Sequence, residues 1–384
     1  MGRIDSMFKM QNETPPVNPW LRALHPYETG KPIEETAREL GLDPARIVKL
    51  ASNENPIGPS PLAVAAMREA AAQAHIYPDG GGYHLRRAIA RANDLSMENI
   101  VLGNGSNEII ELLGHCFLTP GSETVVAEHA FVVYKLMSEL FGARCIEVPD
   151  PDFKHDLRAM LRAVTPATRL LLIGNPNNPT GTRIGQEELD DFMERVPAHV
   201  VAVFDEAYHE FMDDPPDCLK YVRNGRNAVL MRTFSKSQGL AGLRIGYGMM
   251  PAHLAQWLQR SRQPFNANAM AQAAALAAIN DIEHQRHTKE VVDAGRKRLE
   301  SFLLAADIPF VPSSANFVLM KVGRGRSVFD ALLRKGVIVR PMDGYKLPDW
   351  IRVSIGTEPQ MDAFFEALAQ VLERPEICKT AAAS

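Results

Sequence analysis

The middle of the chain alternates short apolar runs with longer segments in which apolar residues recur at helical spacing. Segments such as EIIELLGHCF and GQEELDDFMERV have the pattern of amphipathic helices. The runs between them are rich in aliphatic and β-branched residues, which favours strands. They are NIVLG (99–103), ETVVAE (123–128), RLLLIG (169–174), VVAVFDE (200–206) and NAVLMRT (227–233). This alternation predicts an α/β fold with a mostly parallel central sheet covered by helices on both faces.

The last third of the chain has a different pattern. Residues from about 266 to 306 are alanine-rich and helical, and the strand-like pieces ANFVLMKV, GVIVRPM and WIRVSIG precede a closing helix, MDAFFEALAQVLE. This predicts a smaller α+β domain, to which a polar, proline-containing N-terminal arm could return. We therefore predict an arm with part of the small domain at 1–45, a large domain at 46–275 and a small C-terminal domain at 276–384.

Composition excludes several classes of protein. The formal net charge of -4 gives no general attraction to nucleic acid or anionic membranes, and no run reaches the length of a membrane span. The N-terminus has no apolar signal segment, which predicts a cytoplasmic protein. The four cysteines form no C-x-x-C and are predicted to be reduced thiols: Cys116, Cys145, Cys218 and Cys378. No H-E-x-x-H or Cys/His ligand set occurs, so no metal site is predicted.

Four polar clusters each follow one of the predicted strands. They are GNGSNE (103–108), NPNNPTG (175–181), DEAY (205–208) and TFSK (233–236). Bound ligands in open parallel sheets lie at the carboxyl ends of the strands, where such clusters would meet. The pattern therefore predicts a ligand site at this edge of the sheet.

Each cluster also has a purely structural interpretation. GNGSNE is compatible with a tight turn that has Ser106 as helix N-cap, although the same turn presents backbone N–H groups suited to a phosphate. NPNNPTG is compatible with a rigid loop. Asp205-Glu206 resembles a Walker B motif, but the chain has no G-x-x-x-x-G-K-[ST] loop. Lys236 is compatible with a surface lysine, but its place at a strand end, with Arg244 nearby in sequence, favours a reactive amine.

A series of motifs along nearly the whole chain carries a family resemblance. In order they are NPWLRALHPYETG, LASNENPIGPSP, YPDGGGYHLRRAIA, GNGSNEIIELL, NPNNPTG, FDEAYHEF, RTFSKSQGLAGLRIGY, RQPFNANAMA, ANFVL, VIVRPM and IRVSIGT. Together they resemble the fold-type I aminotransferases, which use pyridoxal 5′-phosphate (PLP), and most closely the histidinol-phosphate aminotransferases. The resemblance implies PLP as the cofactor and a homodimer.

The resemblance also implies roles for individual residues. Lys236 would carry PLP as a Schiff base and move a proton at the substrate α-carbon, Asp205 would pair with the ring nitrogen, and Tyr208 would bond the ring 3′-oxygen. The remaining cofactor contacts would come from Ser106, Asn107, Phe131, Asn178, Ser235, Arg244 and, from the neighbouring subunit, Tyr77. The substrate would be bound by Tyr27, Asn53, Arg340 and Arg352.

The implied reaction is a ping-pong transfer of an amino group from L-histidinol phosphate to 2-oxoglutarate, which yields glutamate. The chain departs from many members at Phe131, where a tyrosine is common, and this change leaves fine substrate selection open. Two alternatives share the cofactor residues. One is an aminotransferase for aromatic amino acids or arogenate, and the other is a PLP decarboxylase acting on a phosphorylated amino acid.

Overall fold

The computed structural model describes residues 16–24, 26 and 30–374 of the chain. The strands within these residues are β1 Val48–Lys49, β2 Ile100–Gly103, β3 Glu123–Ala127, β4 Arg144–Val148, β5 Thr168–Gly174, β6 Val201–Asp205, β7 Ala228–Thr233, β8 Gly246–Met249, β9 Phe310–Val311, β10 Phe317–Lys321, β11 Val337–Ile338, β12 Arg340–Pro341 and β13 Trp350–Ser354. The α-helices are α1 Ile33–Leu40, α2 Pro61–Ala71, α3 Tyr83–Ala92, α4 Ser106–Phe117, α5 Val133–Leu140, α6 Leu157–Arg162, α7 Gln186–Arg195, α8 Leu219–Arg223, α9 Ala252–Ser261, α10 Ala269–Ala278, α11 Ile282–Ala305, α12 Gly325–Arg334 and α13 Glu358–Leu372.

A seven-stranded sheet forms the centre of the larger part of the molecule. Its strand order is β2-β8-β7-β6-β5-β3-β4, and every pairing is parallel except the two that β8 makes with β2 and β7. The predicted strands are present and the predicted mostly parallel sheet is confirmed. The strands β4 and β8 were not predicted, the latter because GYGM is short and contains two glycines, which are unfavourable in strands.

Both faces of this sheet are buried, which explains why its strands are apolar throughout. Along β5, Leu171 and Ile173 pack into one hydrophobic cluster, whereas Leu170 and Leu172 pack into another. Successive side chains of a strand point to opposite faces, so an uninterrupted apolar run supplies both clusters. The helices on the two faces shield these clusters from water.

A smaller unit is built around a four-stranded antiparallel sheet with the order β12-β13-β10-β9. The helices α11, α12 and α13 cover it, and Val292, Val328 and Phe364 join its hydrophobic cluster. The N-terminal segment returns to this unit, because β1 pairs in parallel with β11 and Ala37 of α1 packs with Leu333 and Ile338. The exact domain boundaries stay a prediction.

The turn between β2 and α4 corrects one interpretation made from the sequence. Helix α4 begins at Ser106, and its N-cap is Gly105, with a φ of 77° that favours glycine. Ser106 is therefore the first helical residue and not the N-cap. The backbone N–H groups of this first turn face the carboxyl edge of the sheet, and Glu108 accepts a hydrogen bond from the backbone of Asn104.

The thiols agree with the sequence analysis where the structure describes them. Cys116, Cys145 and Cys218 are unpaired, and burial raises the pKa of the Cys145 thiol to about 11. Cys378 lies outside the described residues.

Within the described ranges, no helix has both the length and the apolar character that crossing a bilayer requires.

Candidate active site

One cavity lies at the carboxyl edge of the large sheet, where the smaller unit closes over it. Its walls include Gly30, Ser52, Tyr134 and Tyr345, which were not singled out from the sequence. Most of the predicted site residues line it as well: Asn53, Ser106, Asn107, Phe131, Asn178, Asp205, Tyr208, Ser235, Lys236, Arg244, Arg340 and Arg352. All four polar clusters therefore meet in one place, as the parallel sheet predicts.

Lys236 follows the end of β7 and reaches into this cavity. Its Nζ donates to the carbonyl oxygen of Ser52 at 3.1 Å and lies 5.7 Å from the centre of the Tyr208 ring. The pKa of Lys236 is lowered to about 8. Burial is the largest cause, and the positive charges of Arg352 and Arg244 contribute to the same shift. The neutral, nucleophilic form of the amine is thus the minor form, roughly a tenth, at pH 7, and becomes the major form above about pH 8.

Asp205 ends β6 and is almost completely buried in the floor of the cavity. Its Oδ2 accepts a 2.8 Å hydrogen bond from the hydroxyl of Tyr134, and its Oδ1 accepts a 3.2 Å bond from the backbone N–H of Ala207. Burial raises the pKa of the Asp205 carboxyl to about 6, while these two donors and Lys236 oppose that rise. The Asp205 side chain is therefore mainly in its charged carboxylate form at pH 7.

Tyr208 is buried next to Asp205 and is held by a residue of the N-terminal segment. The side-chain amide of Asn53 donates to the Tyr208 hydroxyl at 3.0 Å. Asn53 is itself locked to Ser354, which donates to its Oδ1 at 2.8 Å and accepts from its backbone N–H at 2.8 Å. Burial raises the pKa of the Tyr208 hydroxyl to about 12, so this group remains protonated and can donate a hydrogen bond into the cavity.

Donor groups gather at another part of the cavity wall. Ser106 and Asn107 form the first turn of α4, and the Arg244 guanidinium donates to Ser235 Oγ at 3.4 Å. A Cβ added at Gly105 would lie 2.4 Å from Arg244 Nη2, so only glycine leaves room for this approach. A helix N-terminus, a hydroxyl and a guanidinium together suit a phosphate group.

Two arginines of the smaller unit complete the cavity. Arg352, on β13, is buried, donates to Asn178 Oδ1 and to the Ala51 carbonyl, and lies 5.2 Å from the centre of the Phe317 ring. Arg340, on β12, pairs with it in strand register and lines the same cavity. Asp343, the carboxylate three positions after Arg340, pairs with Arg326 at 3.0 Å.

Tyr77, Phe131 and Tyr27 were also predicted to belong to the site, with different outcomes. The Tyr77 side chain is 80% exposed and does not line the cavity of its own chain; its ring stacks on Phe265 with 4.7 Å between centroids. Phe131 lines the cavity and meets Tyr134 edge to face. Tyr27 lies outside the described residues.

Tyr134 and Tyr345 are the two tyrosines of the site that the sequence patterns did not indicate. Tyr134 lies three positions after Phe131, which precedes helix α5, and no helical periodicity marks it. Tyr345 follows VIVRPM without any pattern that would distinguish it. Its place in the cavity follows only from the packing of the smaller unit.

Outside the cavity, one group of side chains in the described ranges has metal-ligand chemistry. Atoms of Glu128, His129 and Asp150 lie within 4.8 Å of one another. His129 Nδ1 is 2.6 Å from Asp150 Oδ1, and the Lys346 ammonium donates to Glu128 at 3.2 Å. These contacts account for the group as a hydrogen-bonded polar network.

The fold and the cavity define an aminotransferase. The chain belongs to the class I and II aminotransferase family, whose model matches residues 45–368. Within that family it is 54% identical, over 90% of its length and 96% of the relative's, to a histidinol-phosphate aminotransferase of Akkermansia muciniphila. It is also 46% identical, over 93% of its length and 97% of the relative's, to histidinol-phosphate aminotransferase 2 of Pseudomonas fluorescens.

Solved structures give the same result. The histidinol-phosphate aminotransferase of Sinorhizobium meliloti, solved in complex with pyridoxal-5′-phosphate, superposes with a TM-score of 0.84 at 27% identity and covers 96% of this chain and 99% of its own. The aspartate aminotransferase of Thermus thermophilus with maleate superposes with a TM-score of 0.79 at 23% identity, over 93% of this chain and 100% of its own, and supports the fold. The predicted family resemblance and fold class are confirmed.

Proposed function

We propose that this protein is a PLP-dependent aminotransferase that transfers the amino group of L-histidinol phosphate to 2-oxoglutarate. The observation that carries the proposal is that Arg340 and Arg352 line the same cavity as Lys236 in a chain whose similar relatives are named histidinol-phosphate aminotransferases. A site with two guanidinium groups suits a substrate phosphate and, in the second half-reaction, a carboxylate.

The residues of the cavity fit PLP. The first turn of α4, Ser235 and Arg244 offer donors for its phosphate, and the space left at Gly105 brings the Arg244 guanidinium close to that turn. Asp205 offers a buried carboxylate for the ring nitrogen, and Lys236 offers an amine of lowered pKa for the aldehyde. When bound, the cofactor supplies an electron sink that stabilises a carbanion at the substrate α-carbon.

The side chains around this group divide the remaining tasks. The neutral fraction of Lys236 accepts the proton from the substrate α-carbon and returns it, because its pKa of about 8 lies near the working pH. Asp205 would hold a proton on the ring nitrogen through its negative charge. Tyr208, fixed by Asn53, would donate to the ring 3′-oxygen together with the Asn178 amide.

Arg352 and Arg340 would position the substrate. Histidinol phosphate has no α-carboxylate, but its phosphate is carried by the carbon next to the reacting one. Arg352 donates to Asn178, which ties the substrate arginine to a cofactor residue. Arg340, in register with Arg352 across β12 and β13, would supply the second positive charge for the dianion.

The decisive experiment compares amino donors. We expect kcat/KM for L-histidinol phosphate, with 2-oxoglutarate as acceptor, to exceed that for phenylalanine or tyrosine. A preference of more than about tenfold for an aromatic amino acid would instead assign the protein to the aromatic alternative. Release of carbon dioxide without a keto acceptor would assign it to the decarboxylase.

We further propose a cytoplasmic homodimer. The exposed rings of Tyr77 and Phe265 stack on each other, and Ile76 next to them in sequence is also exposed; apolar side chains of this kind on a water-exposed surface fit a subunit interface. An interface here would bring Tyr77 to the neighbouring cavity.

The unpaired thiols of Cys116, Cys145 and Cys218 fit a reducing compartment. No nucleic acid or membrane partner is part of the proposal.

A further inference from the structure

Tyr134 makes a contact that none of the roles above requires. Its side chain is 1% exposed, and its hydroxyl donates at 2.8 Å to Oδ2 of Asp205, a residue 71 positions away. Tyr134 is the one side-chain hydroxyl that bonds this carboxylate among the described residues. A buried donor aimed at the acid of a catalytic site is a candidate for tuning that acid.

The Asp205 carboxylate needs such a donor because of where it lies. Burial disfavours its charged form and raises its pKa, and Glu206, the next residue, opposes the charge further. The other protein donor is the backbone N–H of Ala207, at the longer distance of 3.2 Å. A hydrogen bond to the ionised form of a carboxyl group stabilises that form, so the Tyr134 hydroxyl offsets part of the burial cost.

The hydroxyl of Tyr134 is held firmly in this position. Tyr134 lies in the first turn of α5, and its carbonyl accepts a 2.7 Å bond from Ser138 Oγ. Ser138 is in turn bonded at 2.7 Å to Thr124 on β3, which ties the helix to the sheet. Gly174, the strand partner of Asp205, has no side chain, and an added Cβ there would lie 3.5 Å from the hydroxyl.

The surrounding charges keep Tyr134 a donor and Asp205 an acceptor. Three groups from other elements interact electrostatically with this pair: Lys236, Tyr208 and Tyr345. Arg352 interacts in the same way with Tyr208. Burial and the Asp205 charge both raise the pKa of the Tyr134 phenol, so the phenol stays protonated. Lys236 is the nearby positive charge that favours ionised Asp205, and its charge is lost when its amine becomes neutral.

We propose that Tyr134 is a positioning residue that holds Asp205 in its charged form and thereby keeps the shared proton on the nitrogen of the cofactor ring. This inference rests on the proposed function, since it assumes that PLP occupies the cavity. Without the Tyr134 hydroxyl, the carboxylate becomes a stronger base, and the proton moves from the ring nitrogen to Asp205 with no change in the total number of protons. The ring then becomes a weaker electron sink.

The test uses the cofactor-loaded full-length enzyme and PLP labelled with ¹⁵N in the ring. The ¹⁵N chemical shift reports whether the nitrogen carries the proton. In Tyr134→Phe we expect the ratio of nitrogen-bound to Asp205-bound proton to fall about tenfold to a hundredfold, the factor that corresponds to one hydrogen bond to a charged group. The ¹⁵N shift then moves towards that of the neutral ring.

The chain offers a matched control. Tyr221 is also buried, and its hydroxyl donates at 2.7 Å to Asp190 on α7, away from the cavity. Tyr221→Phe removes the same kind of bond and should leave the ¹⁵N shift at the wild-type value. If both variants are destabilised equally but only Tyr134→Phe alters the ring nitrogen, the effect of Tyr134 acts through Asp205 and is not a general loss of stability.

A second substitution covers the case in which Tyr134→Phe does not fold. Incorporating 3-fluorotyrosine at position 134 keeps the shape and makes the phenol a stronger donor, so the ratio should shift towards the ring nitrogen, opposite to phenylalanine. An unchanged ¹⁵N shift in folded, PLP-loaded protein with either substitution would overturn the role of Tyr134. Failure of the wild-type chain to bind PLP would instead overturn the proposed function itself.

Discussion

The side-chain amide of Asn53 donates a hydrogen bond to the hydroxyl of Tyr208 across 155 positions of the sequence. Asn53 has a φ of 54°, a conformation that asparagine, aspartate and glycine tolerate better than other residues. Because the amide NH₂ is a donor, the Tyr208 hydroxyl accepts on this side and its proton is free to point into the cavity. One residue of the N-terminal segment thus sets the direction of a hydrogen bond in the site.

This relationship predicts the effect of Asn53→Asp. The carboxylate tolerates the same backbone conformation but removes the donor, so the Tyr208 proton turns towards position 53. We expect kcat/KM to fall about tenfold or more, the order of one net hydrogen bond. Asn53→Gly, which keeps the backbone and leaves the hydroxyl without a competing acceptor, should lose less. Equal activity of Asn53→Asp and wild-type enzyme would contradict the arrangement.

A second prediction concerns the pH at which Lys236 reacts. Because its pKa is lowered to about 8, the amine of the cofactor-free protein is protonated and unreactive below that pH and neutral above it. The rate at which added PLP gives a visible absorption band should therefore rise with pH and level off above about 8, well below the ordinary lysine value of about 10.4. A rate that still climbs steeply at pH 10 would exclude the lowered pKa. Borohydride should fix PLP only to a peptide containing Lys236 in the wild-type chain, and should fix none to Lys236→Ala.

Removal of Arg352 tests the substrate clamp. Two charge-assisted hydrogen bonds of about 1.5–3 kcal/mol each correspond to a loss of roughly 10²–10⁴-fold in kcat/KM for Arg352→Ala. Arg340→Ala should impair histidinol phosphate more than phenylalanine, since only the former carries a dianion. Arg298, which pairs with Asp362 on the surface, provides the control, and its replacement by alanine should leave both donors unaffected. The same loss for both donors in Arg340→Ala would place Arg340 outside the phosphate contacts.

The position of Tyr77 predicts complementation between inactive chains. If Tyr77 serves the neighbouring cavity, equal mixing of Lys236→Ala and Tyr77→Ala chains should restore about a quarter of the wild-type sites, because half of the dimers are mixed and each has one intact site. Trp257, an exposed aromatic side chain on α9, is the control: Trp257→Ala should keep its activity without a complementing chain. No recovery after mixing, with each single variant inactive, would mean that Tyr77 acts within its own chain.

A buried ion pair next to the site predicts a large effect on stability. Arg232 donates at 2.8 Å to Glu206, and their side chains are only 13% and 2% exposed. Replacing Arg232 by methionine leaves a buried carboxylate without its cation, which should lower the free energy of unfolding by about 3–5 kcal/mol. The exposed pair Lys289–Asp213 is the control, and Asp213→Asn should cost less than about 1 kcal/mol. Chemical denaturation measures both, and similar losses in the two variants would refute the contrast.

The sequence determined the parallel strands β2, β3, β5, β6 and β7 of the large sheet and the edge at which the site lies. Short apolar runs such as RLLLIG and VVAVF are typical of strands buried on both faces. Such strands are parallel when helices connect them. Polar residues directly after these runs, Asp205 and Lys236 among them, must then meet at one edge. These patterns are local: the side-chain period along a strand and the direction of the chain determine them, so they can be recognised in the sequence.

Tertiary structure alone decided which side chains touch inside the cavity. The Tyr134–Asp205 bond joins residues 71 positions apart, and Arg352 meets Asn178 across 174 positions. Neither contact leaves a periodic trace in the sequence, since each depends on how helix α5 and strand β13 pack against the large sheet. The same holds for β8, whose glycines resemble a loop in the sequence. In the fold, a Cβ added at Gly246 would lie only 2.5 Å from the backbone nitrogen of Ser106, so this position requires glycine. Packing distances of this kind are set by the whole fold, so no local stretch of sequence encodes them.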